Sequence, residues 1–280
     1  MKFNVCVVGM GLIGGSLAKA VKKYTDYNVF GIDLDGGVLS EALNCGAADK
    51  TGLVGKGDAD DLLALSDLVI VALSPDGTVD FLRANAGKIK KGAIVTDVCG
   101  VKRFVVEALE NLGLNFIGGH PMAGKTHNGF ENSDGQLFSG ASYILTPTAS
   151  CRPETVNFMT GFARKIGSAR VELTSPEHHD TMIAFTSQLP HVLAGAYVKS
   201  PAAEQHRGYS AGSFRDVSRV ATIDERLWSK LFFYNKDNLS EEIDRLIEHL
   251  KEYKMAVDNG DLDETERIIK NGREIKENLK

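Results

Sequence analysis

The sequence predicts an α/β fold, a doubly wound parallel sheet over residues 1–173 followed by an all-helical domain over residues 174–280. Three observations predict it. Short apolar runs alternate with helical patterns through the first two-thirds of the chain, as in a parallel sheet covered on both faces. A glycine turn, Gly9-Met10-Gly11-Leu12-Ile13-Gly14, directly follows the first of those runs. After Leu173 the strand signal stops, and only helical periodicity and loops remain.

In chain order, strands are expected at residues 4–8, 28–32, 68–73, 93–96, 115–117, 142–146 and 169–173. The first helix, 12–24, starts inside the glycine turn. A later one spans 154–166, with Pro153 suited to its first turn and Gly167 past its end. Ser175-Pro176-Glu177 opens the helical domain, serine as N-cap and proline at the first helical position. Residues 181–198 are apolar or small on every face, which predicts a buried central helix. Gly195, Ala184, Ala194 and Ala196 permit close helix approach there, and so apolar a helix also points to a subunit interface. The last forty residues read as two amphipathic helices. Ile243, Leu246, Ile247 and Leu250 form one stripe, Asn259-Gly260 breaks it, and Asp261 with Glu264 caps the next; packing and solubility suffice to account for this tail.

Composition bounds the function. With 43% hydrophobic and 25% charged residues in 280, the chain reads as an ordinary soluble globular protein. A net charge of −5 with no basic run argues against nucleic-acid binding. No apolar stretch approaches the ~20 residues of a membrane span. The chain opens directly on a strand, so a cytoplasmic protein without a leader is expected. Cys6, Cys45, Cys99 and Cys151 form no C-x-x-C pair, and the seven histidines form no H-E-x-x-H, so no metal is expected.

The glycine turn lies between a strand and a helix, the context in which such a motif counts. Gly9 serves the tight turn, Gly11 the approach of a pyrophosphate, and Gly14 the packing of helix against sheet. The first helical amides, at Leu12 and Ile13, then face the phosphates. Asp33 ends the second strand, where a carboxylate accepts from both adenosine ribose hydroxyls and repels a 2′-phosphate. Leu34-Asp35-Gly36-Gly37 supplies no cation to neutralise one, so NAD is preferred over NADP. Ser74 and Pro75, after the apolar run at 68–73, are also expected to line the cofactor.

His120 follows Phe116-Ile117-Gly118-Gly119 and precedes Pro121-Met122-Ala123-Gly124. That places an imidazole where the sheet opens onto its crevice, able to take a proton from a hydroxyl as hydride leaves the same carbon. The two glycines read as clearance for nicotinamide and substrate, and Pro121 as a stiffener of the loop. Further on, Ser187-Gln188-Leu189-Pro190-His191 interrupts a helix with proline, and Gly212 to Ala221 brings in Arg215, Asp216 and Arg219. Arginine forks suit a substrate carrying carboxylates, Arg219 more than Arg215, whose pairing with Asp216 has a structural reading.

Gly-Gly-His-Pro-Met-Ala-Gly at 118–124, Leu137 to Pro147, Leu-Pro-His at 189–191 and Phe-Arg-Asp-Val-Ser-Arg at 214–219 together resemble the prephenate/arogenate dehydrogenase family, in the family's order. The resemblance implies a Rossmann-type nucleotide-binding domain, an all-helical dimerisation domain giving a homodimer, and oxidative decarboxylation of prephenate in tyrosine biosynthesis. It implies His120 as the catalytic residue at the ring hydroxyl, Arg219 at a substrate carboxylate and His191 in the substrate site.

Two departures stand out. Asp97-Val98-Cys99-Gly100-Val101-Lys102 has glycine where the family often has a serine touching the catalytic histidine. Gly124-Lys125-Thr126 replaces Gly-Thr-Glu, which places Lys125 and Thr126 in the substrate site and tilts the substrate from arogenate toward the keto acid prephenate. With nothing after Lys280, no regulatory domain and only weak tyrosine feedback are expected. A β-hydroxyacid dehydrogenase is the rival enzyme class, but residues 181–198 lack its acid/base lysine. An NAD-binding redox sensor is the rival outside enzymes, and it has no use for a histidine at the nicotinamide end.

Overall fold

The computed structural model describes residues 2–125, 127–148 and 151–279. Along the chain run β1 (Asn4–Val8), α1 (Leu12–Tyr24), β2 (Asn28–Asp33), α2 (Gly36–Asn44), β3 (Lys50–Leu53), α3 (Gly57–Leu65), β4 (Leu68–Val71), α4 (Pro75–Asn85), β5 (Ile94–Asp97), α5 (Arg103–Leu109), β6 (Asn115–Pro121), β7 (Ser142–Pro147), α6 (Pro153–Lys165) and β8 (Arg170–Leu173). Then come α7 (Pro176–Ile183), a π-helical turn (Ala184–Gln188), α8 (Leu189–Tyr197), α9 (Gly212–Ser218), α10 (Glu225–Tyr234), α11 (Lys236–Asp258) and α12 (Leu262–Asn278). Backbone contacts divide the chain into two units: Met1–Ile183 with Thr222–Tyr234, and Ala184–Ala221 with Asn235–Lys280.

The first unit is built on one sheet of order β3-β2-β1-β4-β5-β6-β7-β8. Side chains alternate faces along β1, and the two halves of the core follow from that. Val5 and Val7 pack with Leu17 and Val21 of α1 and Phe162 of α6. Cys6 and Val8 pack on the other face with Leu63, Leu82 and Val105. Because both faces are covered there, the central strands β1 and β4 carry near-continuous apolar runs. The 3-2-1-4-5-6 order of parallel strands is the doubly wound arrangement, with its switch point between β1 and β4.

The sheet departs from expectation in three places. β3 was not foreseen: Lys50-Thr51-Gly52-Leu53 carries one large apolar residue, and it becomes a strand through its pairing with β2 and a helix α3 lying so close that a Cβ on Gly52 would stand 2.7 Å from Ala59. β7 runs antiparallel to β6, so the sheet is mixed rather than parallel throughout. β6 extends to Pro121, which puts His120 inside a strand paired with Ile144 rather than in a loop. At the far edge, β8 is mostly exposed and carries the Arg170–Glu172 pair, charges that discourage further strand pairing.

Residues 181–198, of which 184–198 belong to the second unit, are not one buried helix. Pro190 removes an amide from the helical ladder, and the π-helical turn precedes it. Gln188, Leu189 and Ala194 are buried, whereas Phe185 and Tyr197 are about half exposed in the single chain. The tail forms the two amphipathic helices expected, with Asp261 Oδ1 accepting from the Glu264 amide at 2.9 Å. Only that half of the capping box is made, since the Glu264 carboxylate pairs with Arg267. The stripe on α11 is covered unevenly: Ile243 and Leu246 are half-buried, Ile247 and Leu250 exposed. No described helix is long and apolar enough to cross a membrane.

Candidate active site

The glycine turn leaves β1 at the switch point. Gly9 has φ of +86° and donates its amide to Ile32 O at 2.8 Å, and a Cβ there would stand 2.6 Å from Ala72 O. A Cβ on Gly14 would lie 1.8 Å from Gly9 O, so α1 can start this close to the strand only with glycine. Gly11 faces open space. The first helical bond runs from Gly15 N to Gly11 O, so the amides of Leu12, Ile13 and Gly14 precede the ladder, and no side chain caps this helix. An open backbone before uncapped amides is the cradle a pyrophosphate needs.

Asp33 closes the turn from β2. Its Oδ2 accepts from Met10 N at 2.6 Å and its Oδ1 from Asp35 N at 3.0 Å, which holds the carboxylate still while each oxygen keeps a second lone pair for a ribose hydroxyl. Asp35 caps α2 through Gly37 N at 2.7 Å and adds a second negative charge. Replacing Asp33 with Ala is expected to weaken NAD+ binding roughly ten- to a hundredfold, because hydrogen bonds to a charged group contribute about 1.5–3 kcal/mol; fluorescence titration reads this, and unchanged affinity would remove Asp33 from the site. Ser74 and Pro75 begin α4, with Ser74 Oγ accepting from Gly77 N at 3.4 Å, so both have a capping role at the exit of β4.

His120 stands near the carboxyl end of β6 and is half-buried. The preceding glycines serve the interior, not ligand clearance. A Cβ on Gly118 would be 2.2 Å from Thr146 Oγ1, and one on Gly119 would be 2.6 Å from Asp97 O. Behind them lies a fully buried ion pair, Lys102 Nζ on Asp97 Oδ2. The other oxygen of Asp97 accepts from Gly119 N at 3.0 Å, anchoring the backbone one residue before His120.

Sequence reasoning missed His179 and Asp180. His120 Nδ1 lies 2.9 Å from His179 Nε2, and His179 Nδ1 lies 2.7 Å from Asp180 Oδ1. Both residues of this pair are buried on α7. Asp180 also accepts from the amides of Lys102 (2.7 Å) and Arg103 (3.0 Å). Burial, then the neighbouring His179 and Lys102, holds the His120 imidazole well below the ordinary histidine value of 6.5. Burial lowers His179 too, against the pull of Asp180. Both are therefore neutral at pH 7, and a neutral imidazole is a base.

At Gly100 a Cβ would stand 3.9 Å from His120 Nε2 and 3.3 Å from Leu231 of α10. Cys99, its neighbour, is buried against Thr78 at 3.4 Å, and burial raises its thiol, so no thiolate helps the imidazole. Lys125 reaches Asn132 O at 3.0 Å and Asp134 at 3.6 Å. Thr126 lies outside the described residues. In the second unit, His191 Nδ1 donates to Val220 O at 2.7 Å, which brings it beside the short turn that begins at Arg219, whose side chain is exposed.

The sequence matches the nucleotide-binding domain of prephenate dehydrogenase over residues 17–173 and its dimerization domain over residues 175–271. The chain belongs to the prephenate dehydrogenase family. Within the family, it is 32% identical to the cyclohexadienyl dehydrogenase of Zymomonas mobilis over 93% of this chain and 90% of that one. It is 29% identical to the prephenate dehydrogenase of Bacillus subtilis over all of this chain and 76% of the other. A solved structure of Aquifex aeolicus prephenate dehydrogenase, in complex with hydroxyphenyl propionate and NAD+, superposes with a TM-score of 0.89 at 27% identity, covering 100% of this chain and 99% of that one. Synechocystis arogenate dehydrogenase follows with 0.85 at 25%, covering 99% and 100%. A 3-hydroxyisobutyrate dehydrogenase of Mycobacterium tuberculosis, at 13% identity, shares the fold alone.

Proposed function

We propose that this member of the prephenate dehydrogenase family carries out the NAD-dependent oxidative decarboxylation of prephenate to 4-hydroxyphenylpyruvate, as a cytoplasmic homodimer formed through its helical domain. The observation that carries the reading is His120, a neutral imidazole at the carboxyl end of β6 in the sheet that also holds the glycine turn and Asp33. NAD+, when bound, accepts a hydride from the ring carbon that bears the hydroxyl.

His120 takes the hydroxyl proton as the carbonyl develops at that carbon. Once CO2 has left the opposite ring carbon, His120 returns the proton to the phenolate oxygen, so no net proton is consumed. Arg219 holds a substrate carboxylate. Holding that group equally well in the ground and transition states would give no gain in kcat, so Arg219 must not over-stabilise it before CO2 leaves. His191, its Nδ1 bonded to Val220 O, lies in the same unit as Arg219 and close to it in the fold. Lys125, standing where an acid would meet the ammonium of arogenate, favours the keto acid. The half-exposed Phe185 and Tyr197 and the exposed Ile247 and Leu250 supply apolar surface for the dimer.

A base must be unprotonated to act, and burial lowers the pKa of His120 below 6.5. Activity should therefore hold as pH falls through 6.5 and be lost only where the lowered pKa is crossed. A kcat/KM profile checks this, and an acid limb above 6.5 would assign the base to another group. The reading itself is tested by incubating the protein with NAD+ and either prephenate or arogenate while following reduced cofactor. NADH from prephenate supports it, NADH from arogenate alone moves the substrate, and silence with both overturns it.

A further inference from the structure

The direction of each proton along Asp180–His179–His120 follows from valence. The Asp180 carboxylate accepts from two backbone amides, Lys102 N at 2.7 Å and Arg103 N at 3.0 Å, and stands 2.7 Å from His179 Nδ1. An ionised carboxylate only accepts, so His179 Nδ1 carries the proton. A neutral imidazole has one N–H, which leaves His179 Nε2 as an acceptor. His120 Nδ1, 2.9 Å away, must then be the donor. The lone pair of a neutral His120 is thereby placed on Nε2, the nitrogen that faces Gly100, where a Cβ would stand 3.9 Å away.

The chain of contacts closes on itself. Lys102, whose amide holds Asp180, pairs through its ammonium with Asp97, and Asp97 holds the amide of Gly119, next to His120. His120 is thus fixed by its backbone from β5 and by its ring from α7. A Cβ at position 100 would stand near Nε2, the reacting edge; this chain has no side chain there, and the opposite edge is held by His179.

We propose that His179 and Asp180 are positioning residues, which act through His120 by locking its ring in the tautomer that carries the proton on Nδ1 and the basic lone pair on Nε2. This rests on the reading of His120 as the base. Fixing the tautomer matters because the wrong one presents N–H to the substrate hydroxyl and cannot accept its proton.

Three variants and one spectrum test it. With prephenate and NAD+, His179→Leu is expected to lower kcat about 10- to 100-fold with KM and NAD+ affinity little changed. His179→Gln, which can offer an amide oxygen to His120 Nδ1–H, should recover part of that loss. A merely structural role would show no such recovery. If His120→Asn abolishes turnover while His179→Leu keeps it, the base reading stands and the positioning proposal falls. If His120→Asn keeps turnover, the base reading falls first and the proposal with it. Should the His179 variants fail to fold, nitrogen-15 NMR of the unaltered protein decides. A protonated Nδ1 and bare Nε2 on His120 support the proposal, and the reverse tautomer overturns it.

Discussion

Turnover is expected to fall by ~100-fold or more when His120 is replaced by Asn, because positioned acid–base catalysis contributes roughly 10²–10⁴ in rate. Asparagine keeps polarity and approximate size at the end of β6, so the strand and its pairing with β7 should persist. NAD+ affinity, which the proposed reading assigns to the glycine turn and Asp33, should be little changed. Steady-state rates with prephenate, alongside a cofactor titration, separate these effects. A redox sensor would keep its cofactor-linked output in this variant, whereas a dehydrogenase would not. Turnover within a few-fold of the parent would mean that another group takes the proton.

The largest effect on stability is expected at Lys102. Its side chain and that of Asp97 are wholly buried, and removing one partner of such a pair leaves an uncompensated charge, at a cost of about 3–5 kcal/mol. Lys102→Met should therefore shift the urea midpoint down by that equivalent, while Asp97→Asn in the same chain should restore part of the loss. Restoration would be incomplete, because Asp97 also accepts from Gly119 N and from Cys99 N at 2.9 Å, and a carboxamide replaces only one of its two acceptor oxygens. A midpoint unmoved by Lys102→Met would mean that the buried pair contributes little to stability.

The candidate cofactor site could be read from the sequence because its proposed determinants are local. Strand, glycine turn, helix and Asp33 occupy about thirty consecutive residues, and Gly9 and Gly14 answer contacts made within that stretch or with the adjacent strand end. His120 was legible because its neighbours mark it. His179 and Asp180 were not, since the contact that gives them meaning spans 59 residues of sequence, and an adjacent histidine pair at a helix start looks like solvated surface. Gly118 and Gly119 show the complementary error: glycine beside a reacting group was read as room for a ligand, when the demand comes from Thr146 and Asp97 inside the protein. β3 escaped notice because its stability lies in its neighbours rather than in its own apolar content. The apolar surface of residues 181–198 was recognised, but period alone does not say which part is covered by the same chain.

The return of α10 to the first unit has a practical consequence. That helix lays Leu231 against Gly100, stacks Tyr234 on Phe104 with ring centroids 3.8 Å apart, and ties Lys230 to Asp76 at 2.7 Å. The half of the molecule that grips the dinucleotide is therefore discontinuous in sequence, sewn shut by thirteen residues that arrive after an excursion of 38. Severing the polypeptide after Leu173 would spare the glycine turn and Asp33 yet strip away α7, with His179 and Asp180, and α10 as well. Such a fragment would keep His120 yet lose both the residues proposed to hold its ring and the helix packed against Gly100.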